Sequence, residues 1–264
     1  LKKQWSIYLT EARERWTASK DVSAAPDYTS ALASAGHDKT IIREIFPLFS
    51  RQLDKNEDQD LIFIVTSVSW ALVRQGRWRD AEMLFERADK VWPLGSHANA
   101  LNIAANQARN LLYAGKLQQA LTRVDAAIAD ARDKEVNQDA VAGMHHSRAC
   151  ILHELGRTSE ASVSAALATS VLYPAEVASL HLCMENPQAA RRTLLTGLEV
   201  AVHRDSVLGF LQKSDGRIVP SDYGRKMNAR IQALKADPEI LKQAARYGRI
   251  LSFAHNEAAP PETF

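Results

Sequence analysis

Residues 76–88 read Gly-Arg-Trp-Arg-Asp-Ala-Glu-Met-Leu-Phe-Glu-Arg-Ala, a glycine followed by an apolar pattern of helical period. Ala81, Phe85 and Ala88 are spaced four and then three positions apart, so one face of a helix carries all three. A glycine between two helices supplies the left-handed backbone residue that a tight turn requires. The stretch therefore predicts the second helix of a pair, joined to the first helix by a short turn.

The same pattern recurs at intervals of about forty residues. A glycine ends an apolar periodic stretch at four places: Gly36, Gly76, Gly115 and Gly156. A leucine stands four positions before each glycine: Leu32, Leu72, Leu111 and Leu152. Alanines stand five and twelve positions after the last three glycines: Ala81, Ala88, Ala120, Ala127, Ala161 and Ala168. Small side chains let crossing helices approach closely, so the pattern predicts repeated, packed helix pairs.

This set of positions resembles the tetratricopeptide repeat (TPR) family in a long-period variant, over roughly residues 22–174. The copy around Gly36 is degenerate, because Pro47 interrupts its second helix. The resemblance implies an all-α fold, a right-handed α-α superhelix of helix-turn-helix repeats with capping helices at both ends. The corresponding divisions are an N-terminal capping helix, four repeats, a degenerate repeat with C-terminal capping helices, and a disordered tail: 1–20, 21–174, 175–255 and 256–264.

Such an array forms a concave groove lined by the first helix of each pair. The side chains between the core positions of those helices are the candidate peptide-binding surface: Thr66, Ser67, Trp70, Arg74, Asn102, Asn106, Arg109, Tyr113, His146, Cys150 and His153. We expect replacement of Asn106 or Arg109 to weaken partner binding with little change in melting temperature. The alternative is that Asn102 and Asn106 are merely solvated helix residues.

One helix face carries His146, Cys150 and His153, a spacing that could bind zinc or activate a thiolate. No motif supplies a fourth ligand, so the sequence favours polar groove lining and predicts no metal site. The two cysteines, Cys150 and Cys183, indicate neither a disulfide framework nor a paired metal motif.

The composition excludes several function classes. A formal net charge of +2 gives no argument for bulk attraction to nucleic acid, and no phosphate-binding loop or nucleophile elbow is present. Lys and Arg outnumber Asp and Glu between Gln188 and His255, which indicates either a solvated helix face or contact with an acidic partner. We therefore expect no enzyme activity, cofactor or nucleic-acid partner.

The sequence favours a scaffold or adaptor that binds a peptide or helical segment of another protein. The alternatives are a peptide-sensing regulatory module, or a substrate-recognition module of a larger enzyme whose catalytic domain is missing here. A monomer or a homodimer fits the sequence, and no apolar run is long enough for a membrane span. Because the chain begins at Leu1, any leader would have been trimmed; the compartment stays open, with the cytoplasm preferred slightly over the periplasm or the exterior.

Overall fold

A computed structural model of the chain describes residues 2–19, 21–54, 56, 58–132, 134, 136–214 and 218–253. These residues are almost entirely helical, which confirms the all-α class. Strands β1 (Lys213–Ser214) and β2 (Ser252–Phe253) pair in parallel over two residues each. The predicted disordered tail, 256–264, lies outside the described residues.

The helices follow one another through short connections. Helices α1–α6 are, in chain order, Lys2–Ser19, Ala25–Ala35, Asp38–Thr40, Val65–Arg74, Trp78–Val91 and Ala98–Tyr113. Helices α7–α14 are Leu117–Arg132, Gln138–Glu154, Thr158–Thr169, Pro174–Cys183, Pro187–Glu199, Ala201–Leu211, Asp222–Lys235 and Pro238–Ala244. A π-helical turn and three 3₁₀ turns complete the described helical structure: Ile41–Ile45, Val22–Ala24, Phe46–Ser50 and Gln59–Phe63.

The predicted glycine turns share one hydrogen-bond arrangement. Each glycine has a positive φ, between 72° and 87°. The N–H of the residue after each glycine donates to the carbonyl of the leucine of the pattern, five residues earlier. The distances are 2.8–2.9 Å: His37 to Leu32, Arg77 to Leu72, Lys116 to Leu111, and Arg157 to Leu152. This bond closes the end of the first helix and starts the second one after a single left-handed residue.

A fifth turn of the same kind joins α10 to α11, but its left-handed residue is Glu185, with φ 59°. Asn186 N–H donates to the His181 carbonyl at 2.8 Å, the same bond as in the glycine turns. A non-glycine residue in this conformation costs about 1–2 kcal/mol. The helix pairs therefore continue beyond Pro174 with a turn that a search for glycine does not find.

The contacts divide the chain into two compact units, one covering Leu1–Asn110 and the other Leu111–Ala254. We call them unit 1 and unit 2. In unit 1, α1 packs on α2, α2 on α4, and α4 on α5. In unit 2, α8 packs on α7, α9 and α10, and α10 packs on α11. Helix α13 lies against both α10 and α11.

The predicted small residues lie inside the helix pairs. All six alanines of the pattern are at most 2% exposed: Ala81, Ala88, Ala120, Ala127, Ala161 and Ala168. The larger side chains Phe85 and Val124, placed between them, are equally buried. Close packing at these alanines leaves no room for a longer side chain.

We expect Ala120→Arg to lower the free energy of unfolding by more than about 4 kcal/mol, because it forces a charge into a closed helix contact. Ala126→Arg is the matched control, since Ala126 is exposed on the same helix, α7. Arginine and alanine have similar helix propensity, so the control should stay within about 0.5 kcal/mol of the wild type. Urea unfolding followed by circular dichroism measures both; equal losses in the two variants would contradict the packing described.

Candidate protein-binding surfaces

A polar cluster in unit 1 brings together four of the predicted binding residues. The Trp70 indole N–H donates to Asn106 Oδ1 at 3.2 Å. The Asn106 amide donates to the Asn102 carbonyl oxygen at 3.0 Å and to Asn102 Oδ1 at 2.8 Å. The Arg109 guanidinium lies over the Trp70 ring, 5.6 Å from its centre. These contacts join α4 to α6 and place an aromatic ring beside a cation and two amides.

Asn106 is much less accessible than the sequence predicts. Asn106 accepts the Trp70 indole N–H and is 8% exposed, whereas Asn102 and Arg109 on the same helix are exposed. This burial argues against the expectation that Asn106 can be replaced without loss of stability, and unfolding measurements on the Asn106→Ala variant test it. Removing a buried amide leaves its hydrogen-bond partners unsatisfied, and that loss lowers stability. The accessible part of this surface consists of Asn102 and Arg109, with Thr66, Ser67 and Trp70 half-buried.

Arg74, another predicted binding residue, is engaged inside unit 1. Its Nε and Nη2 donate to the two carboxylate oxygens of Asp38, both at 2.7 Å. The Asp38 side chain is 2% exposed and that of Arg74 is 15% exposed. A two-pronged, largely buried ion pair of this kind fixes the relative position of α3 and α4.

The predicted binding residues of unit 2 lie on α6 and α8. Cys150 is buried and forms a disulfide with Cys183, with the two Cα atoms 5.5 Å apart. The sequence indicates no disulfide framework, which this bond corrects, and Cys150 is not part of an exposed groove. The bond joins α8 to α10, the first helices of consecutive pairs, and such long-range neighbours leave no signal in a single sequence.

His146 lies beside this disulfide, whereas His153 does not. A ring nitrogen of His146 and the two sulfur atoms all lie within 4.8 Å of one another. Among the described residues, His153 is not part of that group. The face of α8 that carries His146, Cys150 and His153 is thus split between a buried cluster and a half-buried histidine.

Helix α13 covers the carboxyl ends of successive first helices in unit 2. The Tyr223 ring packs edge-on against Tyr113 of α6, with 5.0 Å between centroids. Lys226 Nζ lies 2.8 Å from the Glu154 carboxylate at the end of α8. Arg230 donates to the Leu182 carbonyl of α10 at 3.0 Å. One face of α13 therefore contacts the ends of three helices, α6, α8 and α10.

The charges at these ends complement α13. Glu185 accepts hydrogen bonds from Lys226 at 2.9 Å and from Arg230 at 2.6 Å, and these bonds lower the pKa of its carboxyl to about 2. The bond to Glu154 raises the pKa of Lys226. Part of the basic excess in the C-terminal third thus meets acidic groups of this chain, a choice that the sequence alone left open.

A second type of surface in unit 2 is apolar. Val163 and Leu167, one turn apart on α9, are 64% and 50% exposed. Val171, Tyr173 and Val202 are also exposed. Apolar side chains that are exposed singly are normal on a protein surface, so of these residues only the neighbouring Val163 and Leu167 bear on binding. These residues could not be recognised from the sequence, because their helical spacing resembles that of core residues.

Comparison with known proteins adds no assignment. No protein-family model matches the chain, and neither a curated protein nor a solved structure matches it. The resemblance to the TPR family remains a prediction from the sequence. Among the described helices, none has the length and apolar character that crossing a bilayer demands.

We expect Asn106→Ala to lower the free energy of unfolding by about 1–3 kcal/mol, because it removes a buried hydrogen-bonding group shared by Trp70 and Asn102. Arg109→Ala serves as the comparison, since it removes only an exposed side chain stacked on the same ring. Its cost should be at most about 1 kcal/mol. Thermal and urea unfolding distinguish the two; an Asn106 variant as stable as the wild type would restore the original groove assignment.

Reduction of the disulfide should lower the free energy of unfolding by about 2–4 kcal/mol, because the bond closes a loop of 33 residues in the unfolded chain. Urea unfolding with and without a phosphine reductant measures the change. In the Cys150→Ser/Cys183→Ser variant, the phosphine should have no effect. Free-thiol labelling of both cysteines in the untreated, unfolded protein would contradict the bond.

Lys226→Glu should detach α13 selectively, since it places like charges against Glu154 and Glu185. Hydrogen exchange of Asp222–Lys235 should then accelerate while α7–α9 stay protected. Arg225→Glu is the control, because Arg225 is exposed on the same helix and its ion pair within the described part of the chain is the local one with Asp222. Equal acceleration in both variants would show that these ion pairs do not hold the helix.

Low pH should weaken the attachment of α13, as should the Lys226→Glu substitution. The pKa of Glu185 is depressed in the folded chain from 4.5 to about 2, so its contribution to stability is complete above pH 4.5 and is lost as the pH falls towards 2. Its carboxylate is half exposed, so this contribution is small.

Proposed function

We propose that this chain is a protein-interaction scaffold or adaptor, in which a TPR-like array of helix pairs binds a peptide or helical segment of another protein. The observation that supports this proposal most directly is the contact of α13 with Tyr113, Glu154 and Leu182. These residues lie two or three positions before the left-handed turn residue that follows the first helix in three successive pairs. A surface repeated in this way accommodates a helix through one contact per pair.

The recurring turn supports the TPR-like part of the proposal. Five turns share one hydrogen bond from the residue after the left-handed position to the carbonyl five residues earlier. Helix pairs with identical turns and identical small packing residues repeat the same geometry, and such repetition generates a curved stack. The superhelix and its concave groove belong to this proposal.

The contacts of α13 also indicate the chemistry that these helix ends favour. They provide an aromatic ring from Tyr113 and carboxylates from Glu154 and Glu185. The helix that fits them presents an aromatic residue followed by two cations on one face, as Tyr223, Lys226 and Arg230 do. A basic amphipathic helix is therefore the class of segment that unit 2 accepts.

The accessible residues of unit 1 have different chemistry. Arg109 and Trp70 are residue types that dominate the binding energy of many interfaces. Asn102 is exposed beside them and offers both a donor and an acceptor for a peptide backbone. A single peptide held by such a cluster binds with roughly micromolar affinity, about −8 kcal/mol.

Affinity capture with the tagged chain, followed by mass spectrometry and titration calorimetry with each purified candidate, tests the function. We expect at least one protein whose affinity falls about tenfold or more, about 1.4 kcal/mol, in Asn102→Ala/Arg109→Ala. The double variant keeps the buried Asn106, whose amide retains its bond to the Asn102 backbone carbonyl, so its melting temperature should fall only slightly.

Arg79→Ala/Glu86→Ala provides the matched control, because both side chains are exposed on the second helix of the neighbouring pair, α5. This control should bind every candidate as tightly as the wild type does. Candidates that bind all three proteins equally would contradict the unit 1 surface. If no captured protein binds the purified wild type in calorimetry, the adaptor function itself is contradicted.

A further inference from the structure

Three metal-ligating side chains converge where α8 packs against α10. His146 and Cys150 are one helical turn apart on α8, and Cys183 ends α10. A ring nitrogen of the histidine and both sulfur atoms lie within 4.8 Å of one another. Both cysteines are at most 3% exposed, and the histidine is half-buried. Two packed helices therefore hold the three groups in a largely water-excluded cluster.

We propose that the dithiol form of this cluster binds one zinc ion through His146, Cys150 and Cys183. Two thiolates and an imidazole are a ligand set that Zn²⁺ prefers. In a tetrahedral site with Zn–S distances of about 2.3 Å and Zn–N distances of about 2.0 Å, the ligand atoms are about 3.5–3.8 Å apart. The histidine nitrogen is already within 4.8 Å of both sulfur atoms, and once the S–S bond is broken the sulfurs move apart by rotation about the side-chain bonds of the two cysteines.

The packing of α8 on α10 also sets how many coordination positions of the zinc ion the protein fills. The described residues contribute three ligands to the cluster, all on α8 and α10. A fourth tetrahedral position is then left for water or for a group from a binding partner. The site is an addition to the scaffold function, and nothing in its geometry depends on the partner proposed above.

The disulfide and the zinc ion exclude each other, because both use the same two sulfur atoms. A dithiol reductant delivers two electrons and two protons; the Cys150–Cys183 bond breaks, two thiols form, and the reductant becomes a disulfide. Zinc binding then displaces the two thiol protons, and the thiolates coordinate the ion. Reoxidation requires release of the zinc, so the redox state of the chain controls occupancy of the site.

Zinc titration of the full chain tests the proposal, with a chromophoric chelator as competitor and a phosphine as reductant. We expect one zinc per reduced chain and none per oxidised chain. Cobalt substituted for zinc should show thiolate charge-transfer absorption and the strong visible bands of a tetrahedral ion. Zinc should also raise the melting temperature of the reduced chain and leave that of the oxidised chain unchanged.

His146→Ala retains both cysteines, and its oxidised form keeps the disulfide, so its folding can be checked before reduction. Its zinc affinity should fall at least about tenfold, because one of three ligands is lost. His153→Ala is the matched control on the same helix face and should bind as the wild type does. Zinc binding by the oxidised chain, no binding by the reduced chain, or equal affinity in the His146→Ala variant would each overturn the proposal.

Discussion

The close contact of paired helices at buried alanines is the constraint on which the rest of the structure depends. Ala81, Ala120 and Ala161 stand at the same place in three second helices, and each is almost completely buried. A helix pair cannot cover its own apolar surface, so neighbouring pairs must pack together. The left-handed turn sets the direction of each second helix, and the buried alanine sets its distance from the helices that it packs against. Together they position every first helix whose side chains form the candidate surfaces.

The helix pairs could be predicted because their signals are local. A glycine, a leucine four positions before it and an alanine five positions after it can be read from one stretch of chain. The candidate surface was predicted less well, because burial depends on partners distant in sequence. Asn106 and Arg109 are three positions apart on α6 and both contact Trp70 of α4, yet only Asn106 is buried. Cys183 likewise meets Cys150 only because α10 packs against α8.

Glu185 has two roles in unit 2, one in a helix turn and one in the contact with α13. Its backbone adopts the left-handed turn at a cost that glycine avoids, and its carboxylate binds Lys226 and Arg230. A glycine here would relieve the backbone and remove the anion that α13 contacts. The residue that departs from the repeat pattern is therefore one of those that tie the last helix pair to the C-terminal segment, as Arg191 with Asp237 and Leu195 with Gln243 also do.

Under the proposed function, the two units impose different requirements on a partner. In unit 1, Asn102 and Arg109 are exposed, so a peptide can reach them without displacing a helix. In unit 2, α13 already contacts the helix ends, and its covalent linkage gives it an effective concentration in the millimolar range. Another helix binds there only when α13 is detached. Its apparent affinity is therefore its intrinsic affinity multiplied by the fraction of molecules in which α13 is detached. Under the proposed function, unit 1 is therefore the site of first contact, and unit 2 accepts only segments that form more contacts than α13 does.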